Sequence, residues 1–477
     1  MSNVLSLLIT NRTMDAPGTV EAASLPWHRA IGLACGAVAA FHLAYAFSAL
    51  SCLMLVFLCC LIELAGLPTP RKAFYFGLVI GEAVYAPHLL FFWKLFGWSS
   101  IALWTVLAFW LGLFVALARL CRLRFGRLAV VQLPFVWTGL EYFRGELYHL
   151  RFSWLNAGYA FSDSPHVLAA APLGMYGLGW TLMALAGTLF LVSPKKAALL
   201  LVLYLAGLGT LVNRPPGPGP GAKSATVQVA GIQMEFPAEP EVAPALDSLI
   251  EEHPEAELIV LSEYTFLGPI PDQIKDWCGR NRKYLVAGGK DFLSPTDFYN
   301  TAFVVDPNGD VVFKQAKSVP VQFLVDGRKA VEQRVWDSPW GRIGIAVCYD
   351  LSYRRVMDGL IRQGAQAILV PTMDMEEWGA YQHRLHARVA PVRAAEYQVP
   401  IFRVCSSGIS QLIDGTGRTV ASAPYPGQMA MIAGALDLAE RGRRPLDAWL
   451  APLSVAVTVG MILWLMASRV LGRISRL

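Results

Sequence analysis

Charge is scarce in this chain: 16% of its 477 residues are charged against 55% hydrophobic, and the mean hydropathy is +0.44. That balance excludes a disordered chain and argues against a single soluble domain. The shortage is uneven. No Asp, Glu, Lys or Arg stands between Arg29 and Glu63, a gap too long for one crossing at ~20 residues per span, so two joined helices are expected there. A secretory leader is not expected, because Asp15 and Glu21 precede the gap and its apolar stretch outruns a leader's core. Cysteine spacing of the disulfide or metal kind is also missing. Cys35, Cys52, Cys59, Cys60 and Cys121 lie in or beside apolar segments, leaving Cys278, Cys348 and Cys405 elsewhere, with no CxxC pair.

The abundant feature is apolar sequence of spanning length. Further crossings are predicted near 73–94, 99–118, 128–143, 167–193, 197–213 and 446–467, about eight in all. With the N-terminus inside, Arg71 and Lys72, then Arg119, Arg122, Arg124 and Arg127, then Lys195 and Lys196, and finally Arg469, Arg473 and Arg476 fall on the cytoplasmic side. The long segment before the last span then lies outside the cytoplasm. It follows Arg214-Pro-Pro-Gly-Pro-Gly-Pro-Gly221, a composition that disfavours helix and strand. The predicted division is therefore a cytoplasmic segment 1–26, a seven-span membrane domain 27–213, a linker 214–223, a water-soluble domain 224–442, a final span 446–467 and a tail 468–477. Within the soluble domain, β-rich runs such as Thr226–Ile232, Leu258–Leu261, Tyr299–Val305, Val311–Phe313, Ile343–Val347 and Ala367–Val370 alternate with helical patterns near 240–252, 352–363 and 380–397. Asp306-Pro-Asn-Gly309 and Asp414-Gly-Thr-Gly417 are turn signals. A layered α/β sandwich follows.

Three strand ends in that domain carry reactive side chains: Glu263 closes Glu257-Leu-Ile-Val-Leu-Ser-Glu263, Lys317 follows Phe313, and Cys348 closes Gly341-Arg-Ile-Gly-Ile-Ala-Val-Cys348. Taken singly, each has a plain structural reading: a surface acid, a loop lysine, a core cysteine. In the order Glu, Lys, Cys they resemble the nitrilase or carbon–nitrogen hydrolase superfamily. That resemblance implies an α-β-β-α sandwich with Glu263 as general base, Lys317 at the oxyanion and Cys348 as nucleophile. The chemistry needs these types, because a thiol of ordinary pKa ~8.5 requires a base at neutral pH and the tetrahedral oxygen requires a cation. Lys314 also qualifies by type, but in an extended segment it faces away from Lys317, and only Lys317 precedes Val319-Pro320.

Trp137-Thr-Gly-Leu-Glu141-Tyr-Phe-Arg144, Phe152-Ser-Trp154-Leu-Asn-Ala-Gly158-Tyr159 and Pro172-Leu-Gly-Met-Tyr-Gly177 resemble a second, narrower family, the apolipoprotein N-acyltransferases, as does the layout of a bundle with an inserted nitrilase-like domain. The resemblance implies a bacterial inner-membrane enzyme whose catalytic domain faces the periplasm. It would move an acyl chain from a phospholipid, phosphatidylethanolamine in particular, through a cysteine thioester to the diacylglyceryl cysteine of an apolipoprotein. It implies no cofactor, metal or nucleic acid. Tyr349 and Asp350 would support the oxyanion pocket, and Trp137, Glu141, Arg144, Trp154, Asp326 and Trp378 would contact substrate. The chain departs from the family in places. Pro320 is followed by Val321-Gln322-Phe323 in place of Phe-Gly-Glu, which leaves Asp326 as the substitute acid. Position 315 is Gln. Asp350 stands for Glu, Phe236 stands near a missing Trp, and Met373-Asp374-Met375-Glu376-Glu377-Trp378 replaces Asn-Asp-Ala-Trp.

Other patterns have simpler accounts. His383 and His386 lack a third zinc ligand and are read as helix packing. Glu82 and His88, in the third span, are read as a polar helix contact. Arg119–Arg127 follows from loop topology. Two competing functions remain: a membrane-tethered amidase that sends the acyl group to water, and a degenerate nitrilase fold that only binds.

Overall fold

The computed structural model describes residues 25–164, 173–212 and 223–474. The Pro/Gly linker up to 222, nearly all of 1–26 and the last residues of the tail lie outside these. Helices α1 (Trp27–Ala46) and α2 (Leu53–Leu64) fill the charge-free gap. In α3 (Pro70–His88) Thr69 caps the Lys72 N–H and proline takes the first position, where no N–H is needed. Small residues seat α3 against α5 (Ser99–Phe125): a Cβ on Gly81 would stand 2.6 Å from the Ala108 Cα, and one on Gly77 2.8 Å from Gly112. Such contacts let helix backbones approach where lipid gives no hydrophobic drive.

The expected span 73–94 ends early, after Pro87, and resumes as the short α4 (Phe91–Phe96). Pro87 has no N–H for the Ala83 carbonyl, and the His42 ring takes that carbonyl at 3.0 Å. His42 also meets His88 at 3.0 Å, and His88 meets the Tyr381 hydroxyl. The polar contact expected of His88 thus joins two helices to the soluble domain. Helix α6 (Ala129–Tyr142) continues through a wider turn to Leu147, and α7 (Gly174–Leu191) and α8 (Pro194–Val212) follow. Among the described residues four stretches are long and apolar enough to cross a membrane: Trp27–Ala46, Ser99–Leu147, Gly174–Leu191 and Asp447–Ser468.

The soluble domain starts with β1 (Lys223–Ile232), α9 (Glu239–Glu252), β2 (Leu258–Val260), α10 (Asp272–Asn281), β3 (Tyr284–Ser294), β4 (Asp297–Val305) and β5 (Val311–Ala316). It continues with β6 (Val335–Ser338), β7 (Gly341–Ile345), α11 (Arg354–Arg362), β8 (Ala367–Thr372), α12 (Ala380–Ala387) and α13 (Val389–Tyr397). The last elements are β9 (Ile401–Cys405), β10 (Ser410–Ile413), β11 (Thr419–Ala423), β12 (Met431–Ala439) and the closing helix α14 (Asp447–Ile474). Two six-stranded sheets form, ordered β12-β1-β2-β3-β4-β5 and β11-β10-β9-β8-β7-β6. Alternation along the strands sorts the core into layers. Val229, Leu258, Val260 and Val286 meet Ile343, Ile345, Leu369 and Val404 between the sheets. Ile232, Ile259 and Leu285 face α9 and α10.

The opposite outer face, through Ile368, Val370 and Ile401, packs on α11 and α13, and that layer is continuous with the core of the helical bundle. The sandwich therefore sits on the bundle through one helical layer. The buried pair between Arg354 and Asp447 ties α11 to the start of α14. The single helix expected over 380–397 is divided at Arg388, whose guanidinium reaches back to the Tyr45 carbonyl at 2.6 Å. The helix expected from 352 starts at Arg354, because a tight turn over Cys348–Ser352 intervenes.

Candidate active site

Parallel strands β2, β7 and β8 end on one side of the sandwich, and their carboxyl ends carry Glu263, Cys348 and Met373-Asp374. Open α/β sheets place ligands there because loops diverge beyond the strand ends. Cys348 has φ +52° and Tyr264, next to Glu263, has φ +56°. Non-glycine residues hold this left-handed conformation at a cost of ~1 kcal/mol, and the sharp turn it makes lifts a side chain out of the sheet.

Glu263, Lys317 and Cys348 are all buried, at 1%, 1% and 6% exposure. Lys317 Nζ donates to Glu263 Oε1 at 2.8 Å and pairs with Asp326 Oδ2 at 2.7 Å. An ammonium has three donors, so one remains for a substrate oxygen. Two carboxylates outweigh the burial that would otherwise lower it, and the Lys317 pKa stands well above the ordinary lysine value. Glu263 Oε2 accepts the Met373 N–H at 2.9 Å, while the Met373 carbonyl lies 3.7 Å from Cys348 Sγ. One residue thus touches both the carboxylate and the thiol. Burial first, then the Glu263 charge, push the Cys348 thiol well above its usual range. A thiol so held would have to give up its proton to act as a nucleophile.

Asp350 fastens two loops. Its carboxylate accepts the Val319 N–H at 2.6 Å, the Ser318 N–H at 2.9 Å and, more weakly, the Val347 N–H at 3.3 Å. The Lys317 loop is thereby held to the Cys348 turn. Burial pushes Asp350 up to about 7 against those donors. Asp374 is buried under Arg403 at 2.6 Å, His386 at 2.8 Å and the Gln382 amide at 3.0 Å. Burial alone would raise it, but His386 and Arg403 prevail and hold it below the carboxylate range. His386 therefore serves a carboxylate, and among the described residues there is no three-residue metal cluster.

A cavity of about 320 Å³ opens over Cys348. Tyr349, Trp154, Asp326 and Trp378 line it, as does Phe236. Trp154 donates to the Ser352 hydroxyl at 2.8 Å and stacks on His386 at 4.5 Å, which locks the loop from the bundle against the catalytic turn. Trp137, Glu141 and Arg144 do not reach the cavity. Glu141 accepts the Ala157 N–H at 2.7 Å and Arg144 bonds Asn156, so these residues shape the 153–157 loop from behind. Lys314 is half-exposed and pairs with Asp291 at 3.0 Å, away from Glu263. Asn300, missed from sequence, donates to Glu263 at 2.6 Å and Asp326 at 2.7 Å. Its signal was there: a lone amide inside the apolar strand Tyr299–Val305.

Residues 223–444 match the family model described as carbon-nitrogen hydrolase, and residues 33–189 match the apolipoprotein N-acyltransferase N-terminal domain. An apolipoprotein N-acyltransferase of Geobacter metallireducens is 26% identical over 79% of this chain and 83% of its own length. One of Shewanella oneidensis is 23% identical over 73% of this chain and 78% of its own. A deaminated glutathione amidase of Dictyostelium discoideum is 30% identical, but over 33% of this chain and 62% of its own. The amidase likeness covers only part of the chain, whereas the acyltransferases align across both the bundle and the sandwich. The chain belongs to the apolipoprotein N-acyltransferase family of the nitrilase superfamily.

Proposed function

We propose that this protein N-acylates the diacylglyceryl cysteine at the N-terminus of apolipoproteins, with a membrane phospholipid as donor and Cys348 as the acyl carrier. The observation that carries the reading is the cavity itself: Phe91, Phe96 and Leu103 of the bundle share it with Glu263, Lys317 and Cys348. A soluble hydrolase would have to extract each acyl chain at ~0.8 kcal/mol per buried CH₂, and a site walled by bundle aromatics removes that cost.

Glu263 takes the thiol proton as sulfur attacks the ester carbonyl, and the free donor of Lys317 meets the oxygen that becomes negative. Collapse expels the lysophospholipid alkoxide, which takes the proton back from Glu263. The lipoprotein amine then attacks the thioester, Glu263 accepts its proton, and the departing sulfur is reprotonated from Glu263. Asp326 stands in for the family glutamate missing after Pro320, pairing with Lys317 as a second carboxylate beside Glu263. Tyr349 and Asp350 support the pocket. The apolar wall keeps water from the thioester between the two halves.

The cellular setting is part of the same proposal: a bacterial inner-membrane protein with about eight crossings, its sandwich on the periplasmic side, using phosphatidylethanolamine. Product analysis tests it. Full-length protein with phospholipid and a diacylglyceryl lipopeptide should yield N-acylated lipopeptide. Free fatty acid as the sole product would instead assign a hydrolase.

A further inference from the structure

Two neighbouring guanidiniums, the first of them in the cavity lining, have no carboxylate bonded to them. Arg151, in the loop running from α6 toward Trp154, lines the cavity with Cys348 and Tyr349. Its guanidinium lies over the Tyr353 ring, 5.3 Å from the centroid, and its Nε–H is shut from solvent without an acceptor. Arg355 stands over the same ring at 5.9 Å. The neighbouring carboxylates are committed elsewhere. Glu146 accepts the Arg354 N–H and faces Arg393, and Asp447 pairs with Arg354. Among the described residues neither Arg151 nor Arg355 has an ion-pair partner. Partial burial and then the Arg151 charge pull the Arg355 pKa down, with the charges of Glu146 and Asp350 acting in the opposite sense.

A partly desolvated cation in a largely apolar wall is costly unless something pairs with it. A substrate anion answers that need. The Tyr349 hydroxyl lies 3.4 Å from the Arg151 carbonyl, so the Arg151 loop rests on the side chain of the residue that follows Cys348. In a glycerophospholipid one glycerol unit separates the reacting ester from the phosphodiester, and a guanidinium binds phosphate through two parallel N–H bonds. We propose that Arg151, reinforced by the field of Arg355, binds the phosphodiester of the acyl donor and so selects phospholipids over uncharged glycerides. This rests on the acyl-transfer reading and adds its donor subsite.

The test compares thioester formation on full-length protein from dioleoyl phosphatidylglycerol and from dioleoylglycerol, which share the ester and differ in the phosphate. Arg151→Gln should lower the phospholipid-to-glyceride rate ratio at least tenfold, and Arg151→Lys should keep most of it. An unchanged ratio overturns the subsite, as does equal slowing with both donors, which marks a structural role. Excess inorganic phosphate that slows the wild type as strongly as it slows phosphate-specific binders would assign the site to free phosphate and overturn the lipid assignment. Failure of the wild type to form a thioester from either donor sinks the acyl-transfer reading itself, a result distinct from these.

Discussion

A buried ammonium needs anions around it, and Lys317 has Glu263 and Asp326 where Lys314 has one half-exposed aspartate. In the proposed reaction, charge at the first position would meet the developing oxyanion in a water-poor site, whereas charge at the second is solvated. Lys317→Met should therefore abolish thioester formation on Cys348, while Lys314→Met keeps most of it. The reverse pattern would show that the wrong lysine carries the role. Asp350 makes a second residue-scale case, with an explicit sign. Its native pKa of about 7 lies above the ordinary value of ~3.9, so between these limits the folded protein holds more protons than the unfolded chain. Stability from this group falls as pH rises through that window. Asp350→Asn, whose amide nitrogen cannot accept a backbone N–H, should cost ~1–3 kcal/mol. Thermal unfolding in detergent should show that deficit largest at the acid end and narrowing toward pH 7.

Strand β3 acts on the site without contributing a reactive group. A Cβ at Gly288 would stand 2.5 Å from the Glu263 Cα and 2.7 Å from the Tyr264 nitrogen, both backbone atoms that cannot swing aside. Gly288→Ala should move the carboxylate off Lys317 and the Met373 N–H. The expected outcome is at least a tenfold loss of acylation with ~1–3 kcal/mol of stability, read by adduct rate beside thermal unfolding; full activity would contradict the close approach. Elements of this kind explain what the sequence left unread. The proposed trio Glu263, Lys317 and Cys348 stood out because each lies at or just beyond a strand end with a reactive side chain, and the four stretches long and apolar enough to cross a membrane because a bilayer demands length. Gly288 and the Met373 peptide were not, since strand neighbours in a sheet are set by tertiary register and leave no local pattern. Trp137, Glu141 and Arg144 misled for a related reason: a motif that shapes a loop looks, in sequence, like one that touches substrate.

At the scale of the whole molecule, the helical layer of the sandwich and the bundle share one core, so the catalytic face is fixed relative to the membrane helices. Orientation then decides which leaflet supplies the acyl chain. The proposed topology, with the basic clusters inside, puts the sandwich outside, and a reporter fused near Gly219 should then be active only in the periplasm, one fused after Leu477 only in the cytoplasm. Cytoplasmic activity at the first site would overturn the count of crossings. The central claim is that Cys348 carries the acyl chain between the two substrates. Intact-mass measurement of the purified protein after incubation with phospholipid tests it most directly. The account predicts a gain of one fatty acid less water, released by hydroxylamine and missing in Cys348→Ala; an unmodified wild-type mass while lipopeptide is still being acylated, or the same adduct on Cys348→Ala, would contradict it.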